Sequence, residues 1–201
     1  MENDKVIVIT RPNYNKGTRY FYYWGKESIG VAKEKGIKVI DLKVERANSR
    51  DFGRALKLNP CMIIFNGCRS MDRVLGFNNE ILIDSDSDCL FSNKTARIMG
   101  VRNGDNRVAY IGHSKPFIFL FSSSVYSPPD DEVAHLFLDP LKGMATDILN
   151  GDTVGKSFLK AKKSLKENIK KCSDSKYDFI IPFLIWNMND LVLIGDKDLR
   201  I

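Results

Sequence analysis

Residues 37–67, IKVIDLKVERANSRDFGRALKLNPCMIIFNG, hold the pattern that decides the fold. Val39-Ile40-Asp41-Leu42 reads as a short strand, and Cys61-Met62-Ile63-Ile64-Phe65 is wholly apolar, as expected for a strand buried on both faces. Between them Ser49 can cap a helix running to about Leu58, its hydroxyl accepting from a free first-turn N–H. Asn59-Pro60 closes that helix, because the residue before a proline is pushed out of the helical region. Strand, helix and strand at this spacing predict a right-handed crossover between parallel strands.

Upstream, Val6 to Ile9 reads as a first strand stopped by Thr10-Arg11-Pro12. A helix is expected from Thr18 to Lys35, where Phe21, Trp24, Ser28, Ile29, Val31 and Ala32 follow helical spacing and Gly36 supplies the stop. Downstream the pattern loosens. Asn66 to Asn79 reads as loop, Glu80 to Ile83 as a short strand, Val108 to Ile111 as a clear strand ended by Gly112, and Phe117 to Phe121 as another. Asp131 opens a helix through Val133, Ala134, Phe137 and Leu138. A further helix carries Val154, Phe158, Ala161, Leu165 and Ile169 on one face. The last elements are Phe179-Ile180-Ile181 and Leu191 to Ile194, flanking an aromatic segment with Trp186. With 201 residues and no repeat or linker, the expectation is one α/β domain over residues 1–201.

Composition excludes several classes. Hydrophobic residues at 43% and charged residues at 28% rule out disordered, collagen-like and coiled-coil chains. The net charge of +6 suggests a polyanion partner until it is located: residues 156–171 contain seven Lys and one Glu, so the rest of the chain is neutral. Those lysines lack interleaved aromatics for base stacking, so no specific nucleic-acid binding is expected. Cys61, Cys68, Cys89 and Cys172 form no C-x-x-C pair, and two His are too few for a usual zinc site. Asp84, Asp86 and Asp88 alternate as in a calcium loop, but Cys89 and Thr95 stand where Gly and a bidentate Glu are required. Thr10-Arg11-Pro12-Asn13-Tyr14 lacks the glycines of a phosphate loop. No metal and no cofactor are therefore expected. Reduced thiols and the lack of a leader or long apolar stretch predict a cytoplasmic protein without a membrane contact.

In open parallel sheets chemistry gathers at the carboxyl ends of the strands. The candidate crevice residues are thus Arg11, Asn66, Gly67, Cys68, Arg69, Gly112 and His113, with Thr10 beside them. His135, Cys61 and Cys172 read as background: a helix-boundary residue, a core residue and an exposed thiol at a helix end.

The order of segments resembles the small prokaryotic caspase-like cysteine peptidases, relatives of the caspase, gingipain and CHAT-domain group. The stretches that carry the resemblance are Val8-Ile9-Thr10-Arg11-Pro12 with the Trp24 helix, Ile63-Ile64-Phe65-Asn66-Gly67, Gly76 to Ile83, Ala109-Tyr110-Ile111-Gly112, Phe117-Ile118-Phe119, Ala134-His135-Leu136-Phe137-Leu138 and Trp186-Asn187-Met188. The resemblance implies a three-layer α/β sandwich with a mainly parallel sheet. It also implies a general-base His after the third strand and a nucleophilic Cys after the fourth. Here Cys68 and Arg69 occupy the positions of that His and its following Gly. Only Thr95 to Arg107 remain where a strand, the nucleophile and a helix belong. Either Thr95 to Gly100 is the remaining helix and the fourth strand is lost, or it is the strand, remodelled, with Met99 near the nucleophile's place.

A thioether cannot form a thiolate, and a thiol cannot replace imidazole as a base near neutral pH. The first expectation is a catalytically inactive, caspase-like pseudo-peptidase that binds a peptide or protein partner. The second is a cysteine peptidase with a relocated Cys68 and His113 dyad, which requires the strands ending at these residues to be neighbours. The third is an engineered or degenerate caspase-like domain with no retained activity.

Overall fold

The computed structural model describes residues 5–66, 73–84, 96–102, 107–114, 117–118, 120 and 128–201. Six strands form one sheet in the order β2-β1-β3-β6-β7-β8. They are β1 (Val6–Arg11), β2 (Lys38–Lys43), β3 (Met62–Phe65), β6 (Ala96–Arg102), β7 (Val108–His113) and β8 (Leu191–Gly195). The remaining pair, β4 (Arg73–Leu75) and β5 (Ile81–Asp84), makes a separate antiparallel unit.

The sheet is mixed, which corrects the mainly parallel sheet expected from the sequence. β1 runs parallel to β2 and β3, as the crossovers predict. β3 with β6, β6 with β7 and β7 with β8 are antiparallel. Residues 96–102 are therefore strand rather than helix, and they enter the slot beside β3 reversed. Met99 pairs with Ile64 on one side and Ile111 on the other. The strands ending before Cys68 and at His113 are consequently not neighbours, since β6 stands between them.

Side-chain alternation divides the sheet into two faces. Ile7, Ile9, Met62, Ile64, Met99, Val101, Ala109 and Ile111 point to one face and are buried with residues of α1 (Lys16–Glu34), α3 (Glu132–Leu149), α4 (Val154–Cys172) and α5 (Ile181–Asp190). Val8 and Phe65 point to the other, against Leu42 of β2, Phe52 and Ala55 of α2 (Ser49–Leu56) and Val74 and Ile83 of the β4–β5 unit.

Local signals explain the helix ends. Asn15, not Thr18, starts α1: its side chain accepts from the Thr18 N–H at 2.8 Å, and the Thr18 hydroxyl accepts from the Asn15 N–H at 3.1 Å. Asn48 rather than Ser49 caps α2, accepting from the Asp51 N–H at 2.8 Å. Ser49 instead donates its N–H to Glu80 Oε1 at 2.9 Å, tying the β4–β5 unit to that helix. The two hydrogen bonds from Ser49 hold the Glu80 carboxyl below the usual range.

Pro140 lies inside α3 and supplies no N–H for the Leu136 carbonyl four residues back. Asn168 of α4 fills the gap, donating from Nδ2 to Leu136 O at 2.8 Å. A helix-breaking residue thus becomes a point of attachment between two helices. Cys172, expected at the surface, is buried, because it continues the inward stripe of Val154, Ala161 and Leu165. Residues 117, 118 and 120 do not form a strand. Asn187 grips this segment by a paired bond, accepting from the Ile118 N–H at 3.0 Å and donating to its carbonyl at 2.5 Å.

Candidate functional site

The carboxyl ends of β1, β3 and β7 meet the amino ends of β6 and β8 at one end of the sheet. Arg11, Asn66, Gly112 and His113 are placed there; Gly67, Cys68 and Arg69 lie outside the described residues.

Arg11 is 5% exposed and its guanidinium is engaged on three sides. Nε and Nη2 donate to the two carboxylate oxygens of Asp41 at 2.9 and 2.5 Å, a bidentate pair. Nη1 donates to the Tyr22 carbonyl at 2.9 Å, and the group lies 4.4 Å from the centre of the Tyr22 ring. Gly25 of α1 makes room for this arrangement. A Cβ there would stand 2.7 Å from Arg11 Cδ and 3.0 Å from Asn66 Nδ2.

Asn66 follows β3 and is tied back to β1, its N–H reaching Thr10 O and Thr10 Oγ1 at 3.2 Å each. Its side-chain nitrogen is buried and has no hydrogen-bond partner among the described residues. It borders a cavity of about 30 Å³ lined also by Trp24, Gly25, Ser28, Met99 and Lys142. A space of that size takes a water or a single small polar group, and an unused buried donor favours an oxygen acceptor.

His113 shares the face of Ala109 and Ile111 and is fully buried. Its ring centroid lies 4.9 Å from that of Phe117, which in turn lies 6.4 Å from Phe21 of α1. Next to it Ser114 donates its N–H to the Asp190 carbonyl at 2.8 Å. Two inter-strand spacings, roughly 10 Å, separate β7 from β3 across β6. The free thiols among the described residues stand elsewhere: Cys61 at the opposite end of β3, donating to Val6 O at 3.3 Å, and Cys172 inside the helical layer. Burial pushes both thiols up, away from the thiolate form.

A second polar cluster joins α1 and α3. His135 Nδ1 contacts Asp139 Oδ2 at 2.8 Å, and Nε2 contacts the Pro129 carbonyl at 3.1 Å. Both partners are acceptors, so the doubly protonated imidazolium satisfies both. Trp24 Nε1 donates to Asp139 Oδ1 at 2.8 Å, and Lys142 bridges Asp139 and Glu27 at 3.3 and 2.8 Å. Partial burial pulls the His135 pKa down, but the Pro129 and Asp139 contacts outweigh it and hold it above the ordinary value. Asp139 is held below its own ordinary value: burial opposes ionisation, and the bonds from His135 and Trp24 prevail.

Asp41 and Gly25 shape the crevice wall and were not singled out in the sequence, whereas His135, read there as a helix-boundary residue, lies within α3 and pairs with Asp139. Asp41 carried one signal, a lone carboxylate in an otherwise apolar run; Gly25 carried none. No group of three or more His, Cys, Asp and Glu among the described residues is placed to hold a metal ion. No described helix is long and apolar enough to cross a membrane. Compared with known proteins, the chain matches no family model, no curated protein and no solved structure.

Proposed function

We propose that this chain is a caspase-like pseudo-peptidase: a domain that binds a peptide or protein segment at the carboxyl-end crevice without cleaving it. The reversal of β6 carries this reading. A nucleophile delivered by a parallel fourth strand would emerge at the crevice, whereas the carboxyl end of β6 lies at the other end of the sheet. A buried His113, packed against Phe117, and the two described thiols, Cys61 and Cys172, pushed up by burial, fit the same reading. For binding, Asn66 offers an unspent amide donor, and Arg11, fixed by Asp41, keeps the crevice wall in place.

The test is a fluorogenic peptide library run in parallel with an immobilised copy of the same library. The expected result is retention of a subset of peptides, weakened by Asn66→Leu, with no cleavage above buffer. Turnover abolished by Cys68→Ala would overturn the proposal in favour of a relocated dyad. Neither retention nor turnover would overturn it in favour of a degenerate domain.

A further inference from the structure

The face of the sheet turned away from α1 and α3 carries a larger cavity, of about 230 Å³, between the end of α2 and strands β3, β6 and β7. Its floor crosses three strands in register: Ile63 pairs with Gly100, and Gly100 with Tyr110. Gly100 is decisive there. A Cβ at this position would stand 3.3 Å from the Tyr110 ring, so glycine lets the ring approach the β6 backbone and leaves the space above the floor open. Leu56, 40% exposed, forms an apolar wall.

Charge at the rim has one sign. Arg102 lines the cavity, is exposed, and has no ion pair with any acid among the described residues. No described Asp or Glu lines the cavity. Two carbonyls at the end of α2 accept backbone N–H groups: Ala55 O from Leu58 at 3.1 Å and Leu56 O from Asn59 at 3.0 Å. The Cys61 thiol, also at the rim, is committed to Val6 O.

From the apolar floor and Arg102, the one cation among the described lining residues, we infer that this cavity binds a planar aromatic carboxylate, its ring over Ile63, Gly100 and Tyr110 and its carboxylate on Arg102. An apolar cavity of about 150 Å³ accommodates benzene, so this one accommodates a fused bicyclic ring. Guanidinium and carboxylate match as planar, two-point partners. The site opens on the face opposite the Asn66 and His113 side chains, so it stands or falls independently of peptide binding at the crevice.

The probes are 2-naphthoate and its uncharged twin, 2-naphthamide, titrated into the full chain by calorimetry at about 0.1 M salt, within a Debye length of roughly 10 Å. Saturable binding of naphthoate, about tenfold tighter than the amide, is expected from one charge-assisted contact. Arg102→Gln, at an exposed position and therefore neutral for folding, should bring the two ligands to equal affinity. Ile63→Trp should fill the floor and abolish both, with an unchanged near-UV spectrum outside the added indole showing that the fold persists. Absence of saturable binding, or a naphthoate preference that survives Arg102→Gln, would overturn the inference.

Discussion

On one face of the sheet four helices bury Ile9, Ile64, Met99 and Ile111, and several polar side chains buried with them are spent on internal bonds. Ser157 donates to Met144 O at 2.8 Å, Asn168 repairs the break at Pro140, and the Tyr20 hydroxyl donates to buried Asp131 at 2.6 Å. Burial first, and then the bond to Asp131, drives the Tyr20 pKa up, so the phenol stays protonated. On the other face an eight-residue helix and a two-stranded unit pack near β1, β2 and β3, while Ile63, Gly100 and Tyr110 remain half-buried. The difference teaches how one sheet can divide its labour. The helical face supplies stability through close packing, and the thinly covered face has the space to take a ligand.

Adjacent residues of β3 give the strongest way to break that contrast. Ile64, 4% exposed, points to the helical face, and Ile63 to the open one. Ile64→Ala is expected to cost about 3–4 kcal/mol and Ile63→Ala only about 1 kcal/mol, because a side chain already beside a void leaves little new cavity behind. Urea midpoints measure both; equal losses would abolish the distinction between the faces.

A smaller effect sharpens the account of the helical layer. Asn168→Ala should cost about 1–3 kcal/mol by leaving the Leu136 carbonyl buried and unpaired. In a Pro140→Ala background, where residue 140 regains its N–H, the loss should shrink by at least about 0.5 kcal/mol. A double-mutant cycle showing no coupling would mean that Asn168 acts by packing alone.

The smallest effect is at the edge of the same layer. Because the His135 pKa is raised in the folded chain, its contribution is full below the ordinary imidazole value of 6.5 and is lost as pH climbs through the raised value. The ring is part-exposed, so screening limits the change to under about 1 kcal/mol. Thermal midpoints should therefore fall slightly above neutral pH in the parent and stay flat in His135→Gln. A parent midpoint that rises over that range would reverse the assignment. Asp139, held below its ordinary 3.8, contributes in the opposite sense, and its share is lost only as pH falls through the depressed value.

β1, β2 and β3 were legible because two-sided burial demands unbroken β-branched and apolar runs, and short connections leave little choice of direction. β6 was legible as one of two alternatives, but its direction was not. Alternation along Met99 to Arg102 reports which face a residue takes, and the same alternation holds for either orientation. Within the expected strand Phe117 to Phe121, residues 119 and 121 lie outside the described residues; Phe117 is apolar to pack on His113 and Phe21, and the Asn187 clamp holds Ile118. At the candidate crevice the positions of Arg11, the last residue of β1, and Asn66, just after β3, were legible from the strand pattern. Their partners Asp41 and Gly25 come from other elements, 30 residues away in the case of Asp41, and no local pattern announces them.

The reversal of β6 also bears on how the chain finds its fold. β6 and β7 are sequence neighbours that pair antiparallel in the middle of the sheet, so the centre can form from a local hairpin on a scale of roughly 1–10 μs. β3 and β8 must then close far longer loops to reach its two sides, and such closures are slower. A parallel strand in the same slot would have made the centre wait for a crossover. Turning it around puts a sequence-local antiparallel pair at the middle of the sheet, where the contacts of lowest sequence separation are then found.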